Sequence, residues 1–358
     1  MDTTVAHASA MASSASAGTT TTTTTTALRR QKQLLGHLQG EAKTLQPISP
    51  KTHIARIAVY GAGIMGSGIA QVAAAAEYTV VLWDVEQSDL DRGVQAIRRS
   101  LDRLQKKRSL SGSSSSSSVD ATMGRITTTT DKLGAARSAD LVIEAIVEDL
   151  ATKQSLFAAL DTVAPARCIF ATNTSSLLVR DISAHVSASR KQRTVALHFF
   201  NPVPLMRLVE IACPAADNND DQKQEEGTEL VALLKAWVHD IGKVPVVCKD
   251  TPGFIVNRLL VPFNSEARML VERGDASLEA VDTAMKLGAG HPMGPFELMD
   301  LTGIDVGHHI AKAWYESEES GLKGDPRFKP SPLVERMLAD GHLGRKTGRG
   351  YYNYNKKK

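Results

Sequence analysis

The sequence predicts an α/β protein in which an open parallel sheet is followed by an all-helical domain. Between Ile54 and Asp250, short apolar runs alternate with helical patterns, which is typical of strand–helix–strand units around a parallel sheet. Beyond Gly253 the strand pattern stops, and helices follow one another between Gly-Pro turns. The length of 358 residues also exceeds the roughly 150 residues that are typical of one domain. We therefore expect a tail over 1–53, a sheet domain over 54–250 and a helical domain over 251–358.

The composition excludes several classes of protein. Apolar residues make up 42% of the chain and charged residues 23%, which suffices for a buried core. No apolar run approaches the roughly 18 residues of a membrane-spanning helix, so we do not expect an integral membrane protein. The net charge of +3 is too small to indicate a nucleic-acid partner, although it suits a small anionic ligand. The cysteines Cys168, Cys213 and Cys248 lack the spacing of metal ligands, which predicts no metal site and a reducing compartment.

The first 53 residues have almost no aliphatic periodicity, and we predict that they are disordered. They are rich in serine, alanine and threonine, and Thr19 to Thr26 are all threonine. Only two acids, Asp2 and Glu41, occur in this segment, whereas its later part is basic. An acid-poor, hydroxyl-rich segment of this kind is typical of an organelle transit peptide. The alternative is a tail without a targeting role.

The sheet domain is predicted to contain eight strands. They are Ile54–Tyr60, Thr79–Trp83, Arg125–Thr129, Asp140–Ile146, Cys168–Thr172, Thr194–Phe199, Leu208–Ala212 and Val244–Cys248. The predicted helices of this domain are Ile64–Ala76, Gln87–Lys107, Ala151–Val163 and Glu225–Ile241. We interpret the serine run Ser113–Ser118 and the acidic stretch Asp217–Glu226 as solvated loops, because both lack apolar residues.

A glycine-rich turn joins the first predicted strand to the first helix. Gly61, Gly63 and Gly66 form a GxGxxG pattern in this position, where glycines permit a tight turn, close approach of a pyrophosphate and close packing of helix and strand. Glycines also mark ordinary turns, so the pattern alone is weak evidence for a dinucleotide-binding site. The second strand, however, ends at Asp84, where a carboxylate accepts hydrogen bonds from ribose hydroxyls and repels a 2′-phosphate. The combination predicts a Rossmann-like domain that binds NAD rather than NADP, with Ile64 and Met65 in the binding turn.

A histidine and a glutamate form the pair of residues that is most informative about the chemistry of the site. His198 lies near the end of one predicted strand, two prolines follow, and Glu210 lies on the next strand. The reversal brings imidazole and carboxylate within hydrogen-bond reach. A carboxylate on one ring nitrogen leaves the other free to take a proton from an alcohol, as hydride transfer requires. The alternative is a structural histidine with a satisfied hydrogen bond.

A polar cluster, Thr172–Ser176, directly follows the fifth predicted strand. It therefore lies at the carboxyl edge of the sheet, where open α/β folds bind ligands. Its short side chains either position a substrate oxygen or only cap the following helix.

The helical domain contains predicted helices at Ile255–Val271 and Val281–Leu287 that are apolar on more than one face. A small domain of this kind usually buries the excess apolar surface against another subunit. We therefore expect a homodimer formed through this domain.

The sequence resembles those of the L-3-hydroxyacyl-CoA dehydrogenases of fatty-acid β-oxidation, most nearly the single-function mitochondrial type. The resemblance runs from about Ile54 to Tyr354. Its strongest carriers are GAGIMGSGIAQVAA at Gly61–Ala74, NTSSL at Asn173–Leu177, HFFNPVP at His198–Pro204, KDTPGFIVNRLLVP at Lys249–Pro262 and DTAMKLGAGHPMGPFEL at Asp282–Leu298.

The resemblance implies roles for individual residues. His198 becomes the catalytic base and Glu210 its partner, while Ser175 and Asn257 hold the reacting oxygens of an acyl-CoA substrate. Further implied contacts are Glu148, Lys153, Ser175 and Lys346 along the cofactor and Ser100, Lys107 and Ser175 with coenzyme A. Lysines suit phosphate oxygens as cations, although Lys107 also belongs to a solvated basic run.

The implied reaction is NAD-dependent oxidation of an (S)-3-hydroxyacyl-CoA to the 3-ketoacyl-CoA. Two alternatives remain at this point: a dehydrogenase of the same scaffold that acts on a sugar acid or another hydroxy acid without coenzyme A, and an NAD-binding protein without activity. The implied compartment is the mitochondrial matrix, with the cytoplasm and the peroxisome as alternatives.

Overall fold

An eight-stranded sheet forms the first half of the structure, a computed structural model that describes residues 49–110, 118–213, 221–318 and 320–355. The strands are β1 (Arg56–Tyr60), β2 (Thr79–Trp83), β3 (Ile126–Thr129), β4 (Leu141–Glu144), β5 (Ile169–Thr172), β6 (Thr194–Phe199), β7 (Leu208–Cys213) and β8 (Val244–Lys249). Their order across the sheet is β3-β2-β1-β4-β5-β6-β7-β8. All eight predicted strands are present.

The strand order creates a crevice. β1 pairs with β2 on one side and with β4 on the other, both in parallel. The connection after β1 therefore leads to one side of the sheet, towards β2, and the connection after β4 leads to the other side, towards β5. A crevice opens between these two connections at the carboxyl ends of β1 and β4. This is the usual ligand position in such sheets. β7 returns antiparallel to β6, and β8 is parallel to β7.

Helices connect the strands and then continue alone. In the sheet half they are α1 (Ile64–Ala75), α2 (Gln87–Leu110), α3 (Val119–Met123), α4 (Leu150–Asp161), α5 (Val179–Ile182), α6 (Ala188–Lys191) and α7 (Asp221–Asp240). In the second half they are α8 (Val256–Glu272), α9 (Leu278–Gly288), α10 (Pro295–Thr302), α11 (Ile304–Glu316) and α12 (Pro332–Ala339). Within the described ranges, none of these helices is both long and apolar enough to cross a membrane.

Three expectations about loops and the tail need correction or fall outside the described residues. The folded chain begins before residue 54, because Pro50–Thr52 form a 3-10 turn and Lys51 lies 3.3 Å from Glu77. Part of the predicted acidic loop is helical, because α7 begins at Asp221. Of the serine run, Ser118 is described, and its side chain caps α3 by accepting from Ala121 N at 3.1 Å. The rest of both stretches and residues 1–48 lie outside the description.

The sheet is covered on both faces, which explains why its strands read as continuous apolar runs. β1, β4, β5 and β6 are almost wholly buried. Trp237 and Leu234 of α7 pack on one face, and Phe157 and Leu160 of α4 pack on the other. This packing holds the carboxyl ends of the central strands in place.

Two buried aspartates join the helices of the second half to the end of the chain. Asp282 accepts from Phe296 N at 2.8 Å and from the Tyr352 hydroxyl at 2.8 Å. Asp300 accepts from Tyr352 N and from the Tyr354 hydroxyl, each at 2.9 Å. Because both carboxylates are enclosed and satisfied, the last described residues are fixed on α9 and α10.

Candidate active site

The glycine turn between β1 and α1 is shaped by two crowded positions and one open position. Gly61 has a φ of +104°, and a Cβ there would lie 2.5 Å from the carbonyl oxygen of Ala145. A Cβ on Gly66 would meet the carbonyl oxygen of Gly61. At Gly63, in contrast, a Cβ would meet nothing within 4 Å. The open position lies at the amino end of α1, where backbone N–H groups and the helix dipole favour an anion.

Asp84 holds this turn from the end of β2. Its Oδ2 accepts from Ala62 N at 2.7 Å, and its Oδ1 accepts from Val85 N at 2.7 Å. A carboxylate oxygen has two lone pairs, so each oxygen keeps the capacity for one more donor. Asp84 is thus placed to accept from a ligand hydroxyl while it fixes the turn.

A cavity of about 1220 Å³ opens over the turn. Of the predicted site residues, Gly61, Gly63, Ile64, Asp84 and Ser100 line it. This volume exceeds the roughly 300–1,000 Å³ of most small-molecule pockets. The cavity can therefore hold an elongated ligand that reaches from the glycine turn to α2.

The segment Asn201–Pro204, which is separated from the end of β6 by one residue, forms another wall of this cavity. Lys243 fixes the segment, because its Nζ donates to Val203 O at 2.6 Å and to Met206 O at 2.7 Å. Burial lowers the pKa of Lys243. Sequence reasoning did not single out Asn201, although an amide just beyond a strand end is the same signal that drew attention to Thr172–Ser176.

His198 and Glu210 meet as predicted. They are opposite each other in the antiparallel pairing of β6 and β7, and His198 Nδ1 lies 2.7 Å from Glu210 Oε2. The two side chains are 5% and 1% exposed. The ring of His198 also packs against Phe200 and Phe254, with ring centroids 4.5 and 5.6 Å away. One ring nitrogen is thus held by a buried carboxylate, and the ring orientation is fixed by aromatic neighbours.

The second oxygen of Glu210 binds the start of α8. Oε1 accepts from Ile255 N at 3.2 Å and from Val256 N at 2.9 Å. Negative charge is favoured at the amino end of a helix. The carboxylate therefore joins the histidine to the first helix of the second half.

Asn257 and Ser175 are also brought together. Asn257 Nδ2 donates to the carbonyl oxygen of Ser175 at 3.2 Å. Nearby, Asn173 Oδ1 accepts from Phe199 N at 2.8 Å, which ties the end of β5 to the end of β6. Three segments that are distant in sequence thus converge beside His198.

Lys153 is enclosed by two glutamates. Its Nζ lies 2.5 Å from Glu144 Oε1 and 3.2 Å from Glu148 Oε2, and its side chain is 1% exposed. The interpretation of Lys153 as a cation facing phosphate oxygens therefore does not fit its position, because it already neutralises buried carboxylates. The pKa of Glu144 is raised by burial, in spite of the Lys153 ammonium group.

Glu148 responds differently to the same lysine. Burial alone would raise its pKa, but Lys153 together with Thr174, Ser175 and Ser176 lowers it. Its Oε1 accepts from the Thr174 hydroxyl at 2.5 Å and from Ser175 N at 2.9 Å. Glu148 therefore carries the negative charge that holds the Thr174–Ser176 segment.

The polar cluster Thr172–Ser176 does not cap the next helix. The residue before α5, Leu178, makes no side-chain cap. Thr172 instead donates to Glu144 Oε2 at 2.7 Å. The cluster positions the glutamates and the end of β6, so the capping alternative is wrong.

The cavity lining given by the described residues includes none of the residues around the histidine and the buried lysine: His198, Glu210, Ser175, Asn257, Glu148 and Lys153. The remaining predicted residues lie apart from the lining as well. The Nζ of Lys346 is 2.6 Å from Asp305 Oδ1 in the second half. Lys107 is an exposed residue of α2, and neither it nor Met65 belongs to the cavity lining given by the described residues. No cluster of three metal-ligating side chains occurs in the part of the chain that the structure describes.

Known proteins share both halves of this architecture. The family profile "3-hydroxyacyl-CoA dehydrogenase, NAD binding domain" matches residues 56–251, and "3-hydroxyacyl-CoA dehydrogenase, C-terminal domain" matches residues 253–354. "Hydroxyacyl-coenzyme A dehydrogenase, mitochondrial" of Sus scrofa is 44% identical over 324 residues, which cover 90% of this chain and 98% of the pig protein.

Two bacterial proteins extend the similarity. A "Probable 3-hydroxybutyryl-CoA dehydrogenase" of Bacillus subtilis is 40% identical over 304 residues, 85% of this chain and 99% of that protein. The crystal structure of (S)-3-hydroxybutyryl-CoA dehydrogenase from Ralstonia eutropha superposes with a TM-score of 0.73 at 35% identity, covering 85% of this chain and all of that one. With both domains matched in order and the relatives covered almost end to end, the chain belongs to the 3-hydroxyacyl-CoA dehydrogenase family.

Proposed function

We propose that this protein catalyses the reversible, NAD-dependent oxidation of an (S)-3-hydroxyacyl-CoA to the 3-ketoacyl-CoA in fatty-acid β-oxidation. The relatives named above support the substrate class. The observation that carries the proposal is the contact of 2.7 Å between His198 Nδ1 and Glu210 Oε2. A buried imidazole that has one ring nitrogen bound to a carboxylate is suited to take a proton from an alcohol.

The residues of the crevice fit NAD. The open space at Gly63 leaves room for a pyrophosphate at the amino end of α1, with Ile64 and Met65 in the same turn. Asp84 would accept from ribose hydroxyls and disfavour a 2′-phosphate. When bound, NAD supplies the hydride acceptor. Glu148, Lys153 and Ser175 would shape the nicotinamide end, with Lys153 acting through the glutamates that it neutralises.

His198 would act as the general base. Glu210 would accept a hydrogen bond from Nδ1–H, which fixes the tautomer and leaves Nε2 free to remove the substrate hydroxyl proton. As that proton arrives, the charge on Glu210 pairs with the imidazolium. Both partners are already in place, so little reorganisation accompanies the step.

Ser175 and Asn257 would hold the substrate oxygen. The contact of 3.2 Å between Asn257 Nδ2 and the carbonyl oxygen of Ser175, beside the start of α8, supports this role. Such donors stabilise charge that develops on a carbonyl oxygen. For coenzyme A, Ser100 in the cavity wall and the cation of Lys107 further along α2 are the proposed contacts, while Lys346 is proposed to approach the cofactor from the helical half.

The test is the replacement His198→Gln, which keeps a polar side chain but removes the base. Turnover, measured as acetoacetyl-CoA-dependent oxidation of NADH, should fall by about 10²-fold or more, while NADH binding measured by fluorescence is retained. The exposed His185 gives a matched control, His185→Gln. Unchanged turnover in His198→Gln would remove the base assignment. Turnover on a hydroxy acid without coenzyme A, but none on acetoacetyl-CoA, would favour the alternative substrate class.

The helical half is proposed to form a homodimer. The helices α8, α9 and α10 each carry a large apolar side chain that is exposed to solvent. The exposed fractions are 65% for Leu259, 84% for Leu287 and 51% for Leu301. Burial of such side chains is worth about 1.5–3 kcal/mol each. We place the division between the cofactor domain and this dimerisation domain at residues 250 and 251.

The mitochondrial matrix is the proposed compartment. The acid-poor segment 1–53 and the printed name of the pig relative support it. A fusion of the whole chain to a fluorescent protein should enter mitochondria, and the same fusion without residues 1–48 should stay in the cytosol. Identical distributions would contradict a targeting role.

A further inference from the structure

The loop between β6 and β7, residues 200–207, forms part of the cofactor cavity. Its residues Asn201–Pro204 line that cavity. Val203 packs closely on α1, the helix that follows the glycine turn, because a Cβ added to Gly68 would lie 2.7 Å from the Val203 Cβ. The position of this loop therefore sets the shape of the cavity beside α1.

Apolar packing attaches this loop at one point. Of residues 201–206, only Val203 is buried. Leu205 and Met206 are 62% and 42% exposed, so their apolar side chains do not anchor the loop. A loop of this kind needs a further attachment if it is to keep one position.

Lys243 supplies that attachment. Its Nζ donates to Val203 O at 2.6 Å and to Met206 O at 2.7 Å. Its backbone N–H donates to Val238 O, 3.0 Å away, in the last turns of α7. The side chain thus extends from a fixed position, and one ammonium group joins the cavity wall to α7.

The stability of the fold alone does not explain a lysine in this place. Lys243 is 5% exposed, and within the described ranges no carboxylate forms an ion pair with it. Lys153, which is also buried, is in contrast neutralised by two glutamates. A buried charge without a counter-ion lowers stability, because two carbonyl oxygens replace only part of the lost hydration. A role in holding the cavity wall accounts for the lysine better than a role in folding.

The histidine end of the loop is held by other contacts. Phe199 N donates to Asn173 Oδ1 at 2.8 Å, and Glu210 Oε2 lies 2.7 Å from His198 Nδ1. Neither contact involves Lys243. Loss of the lysine should therefore move the cavity wall and leave the proposed base in place.

We propose that Lys243 is a positioning residue for the cofactor, which holds the β6–β7 loop at the distance from α1 that NAD requires. The inference rests on the proposed function, in which this cavity receives NAD. Lys243 does not itself line the cavity, and it acts through the backbone carbonyls of Val203 and Met206. It sets the affinity for the cofactor rather than the rate of the chemical step.

The experiment is a fluorescence titration of the full chain with NADH, followed by steady-state kinetics with acetoacetyl-CoA. Lys243→Met keeps the apolar stem and removes the ammonium group. The Kd and the KM for NADH should rise about tenfold, as for the loss of charge-assisted hydrogen bonds. The kcat at saturating NADH should stay within about twofold of the wild type. Lys235→Met, at an exposed position of α7, is the control.

A second variant moves the same wall from the other side. Gly68→Ala pushes Val203 away from α1 while Lys243 is kept, so it tests the wall even if Lys243→Met does not fold. It should also weaken the binding of NADH. In the double variant the loss should be smaller than the product of the two single effects, because both act through Val203.

Melting temperatures separate this role from a structural one. A lysine that only stabilises the fold would lower the melting temperature when replaced and leave the Kd for NADH unchanged. That result, a fall in kcat without a change in Kd, or independent effects in the double variant would overturn the proposal. A wild type without turnover of acetoacetyl-CoA, combined with weaker NADH binding in Lys243→Met, would reject the proposed reaction and support this inference.

Discussion

The carboxylate of Glu210 accepts a hydrogen bond of 2.9 Å from the backbone N–H of Val256, the first residue of α8. The other oxygen of the same carboxylate contacts His198. Asn257 is the next residue of the helix. One carboxylate thus sets the distance between the proposed base and a proposed substrate-binding residue, although they belong to different halves of the chain.

Replacing Glu210 with glutamine should slow catalysis without closing the cofactor crevice. The amide keeps the shape but can donate to Nδ1, which favours the wrong tautomer of His198. We expect kcat to fall by about 10²-fold or more. Glu229→Gln, on the exposed surface of α7, is the control. A kcat within twofold of the wild type would show that Glu210 has a structural role alone.

Replacing Asp84 with asparagine should weaken the preference for NADH over NADPH. Asparagine can still accept from Ala62 N through its one amide oxygen, although it gives up the bond from the exposed Val85 N. The charge that repels a 2′-phosphate is lost. The ratio of kcat/KM for the two coenzymes should shift by about tenfold towards NADPH, as expected for the loss of one charge repulsion in a partly exposed site. An unchanged ratio would mean that other groups select the coenzyme.

Replacing Lys153 with methionine should destabilise the fold. Two carboxylates would lose their cation, and breaking a buried ion pair in this way costs about 3–5 kcal/mol. The free energy of unfolding in urea measures the effect. The double variant Lys153→Met/Glu144→Gln should recover part of the loss, because Glu144 is the fully buried partner. Equal losses in the single and double variants would contradict this account of the triad.

The contribution of Glu148 to stability should depend on pH. Its pKa in the folded chain is lowered from the ordinary value of 4.5, so its charged form stabilises the native state. The contribution is complete above the unfolded value and is lost as the pH falls through the lower folded value. The difference in melting temperature between the wild type and Glu148→Gln should therefore be constant near neutral pH and shrink below about pH 4.5. A difference in melting temperature that grows as the pH falls would contradict this prediction.

A charge on α8 should disrupt the proposed dimer. Leu259→Asp places a carboxylate on an exposed apolar position, and burying an unpaired charge at an interface costs several kcal/mol. Sedimentation equilibrium should show a shift from dimer to monomer. Val244→Asp, at a 40% exposed position of the edge strand β8, should leave the dimer intact. A wild-type chain that sediments as a monomer would reject the proposal.

Local sequence pattern determined the strands, the glycine turn and the facing of His198 and Glu210. Apolar runs, glycine spacing and a short reversal are properties of neighbouring residues, so they can be recognised along the chain. The helical start of α7 lies in an acidic stretch without apolar residues, so hydrophobic periodicity gives no signal for it.

Tertiary structure alone decided the surroundings of these residues. Glu210 meets the start of α8 across 45 positions, and Lys153 meets two carboxylates only because β4 and α4 pack together. The amino-terminal edge of the sheet likewise gathers arginines from separate strands. Charge and burial at these places depend on which distant segments pack together. The periodicity of the sequence does not predict that packing.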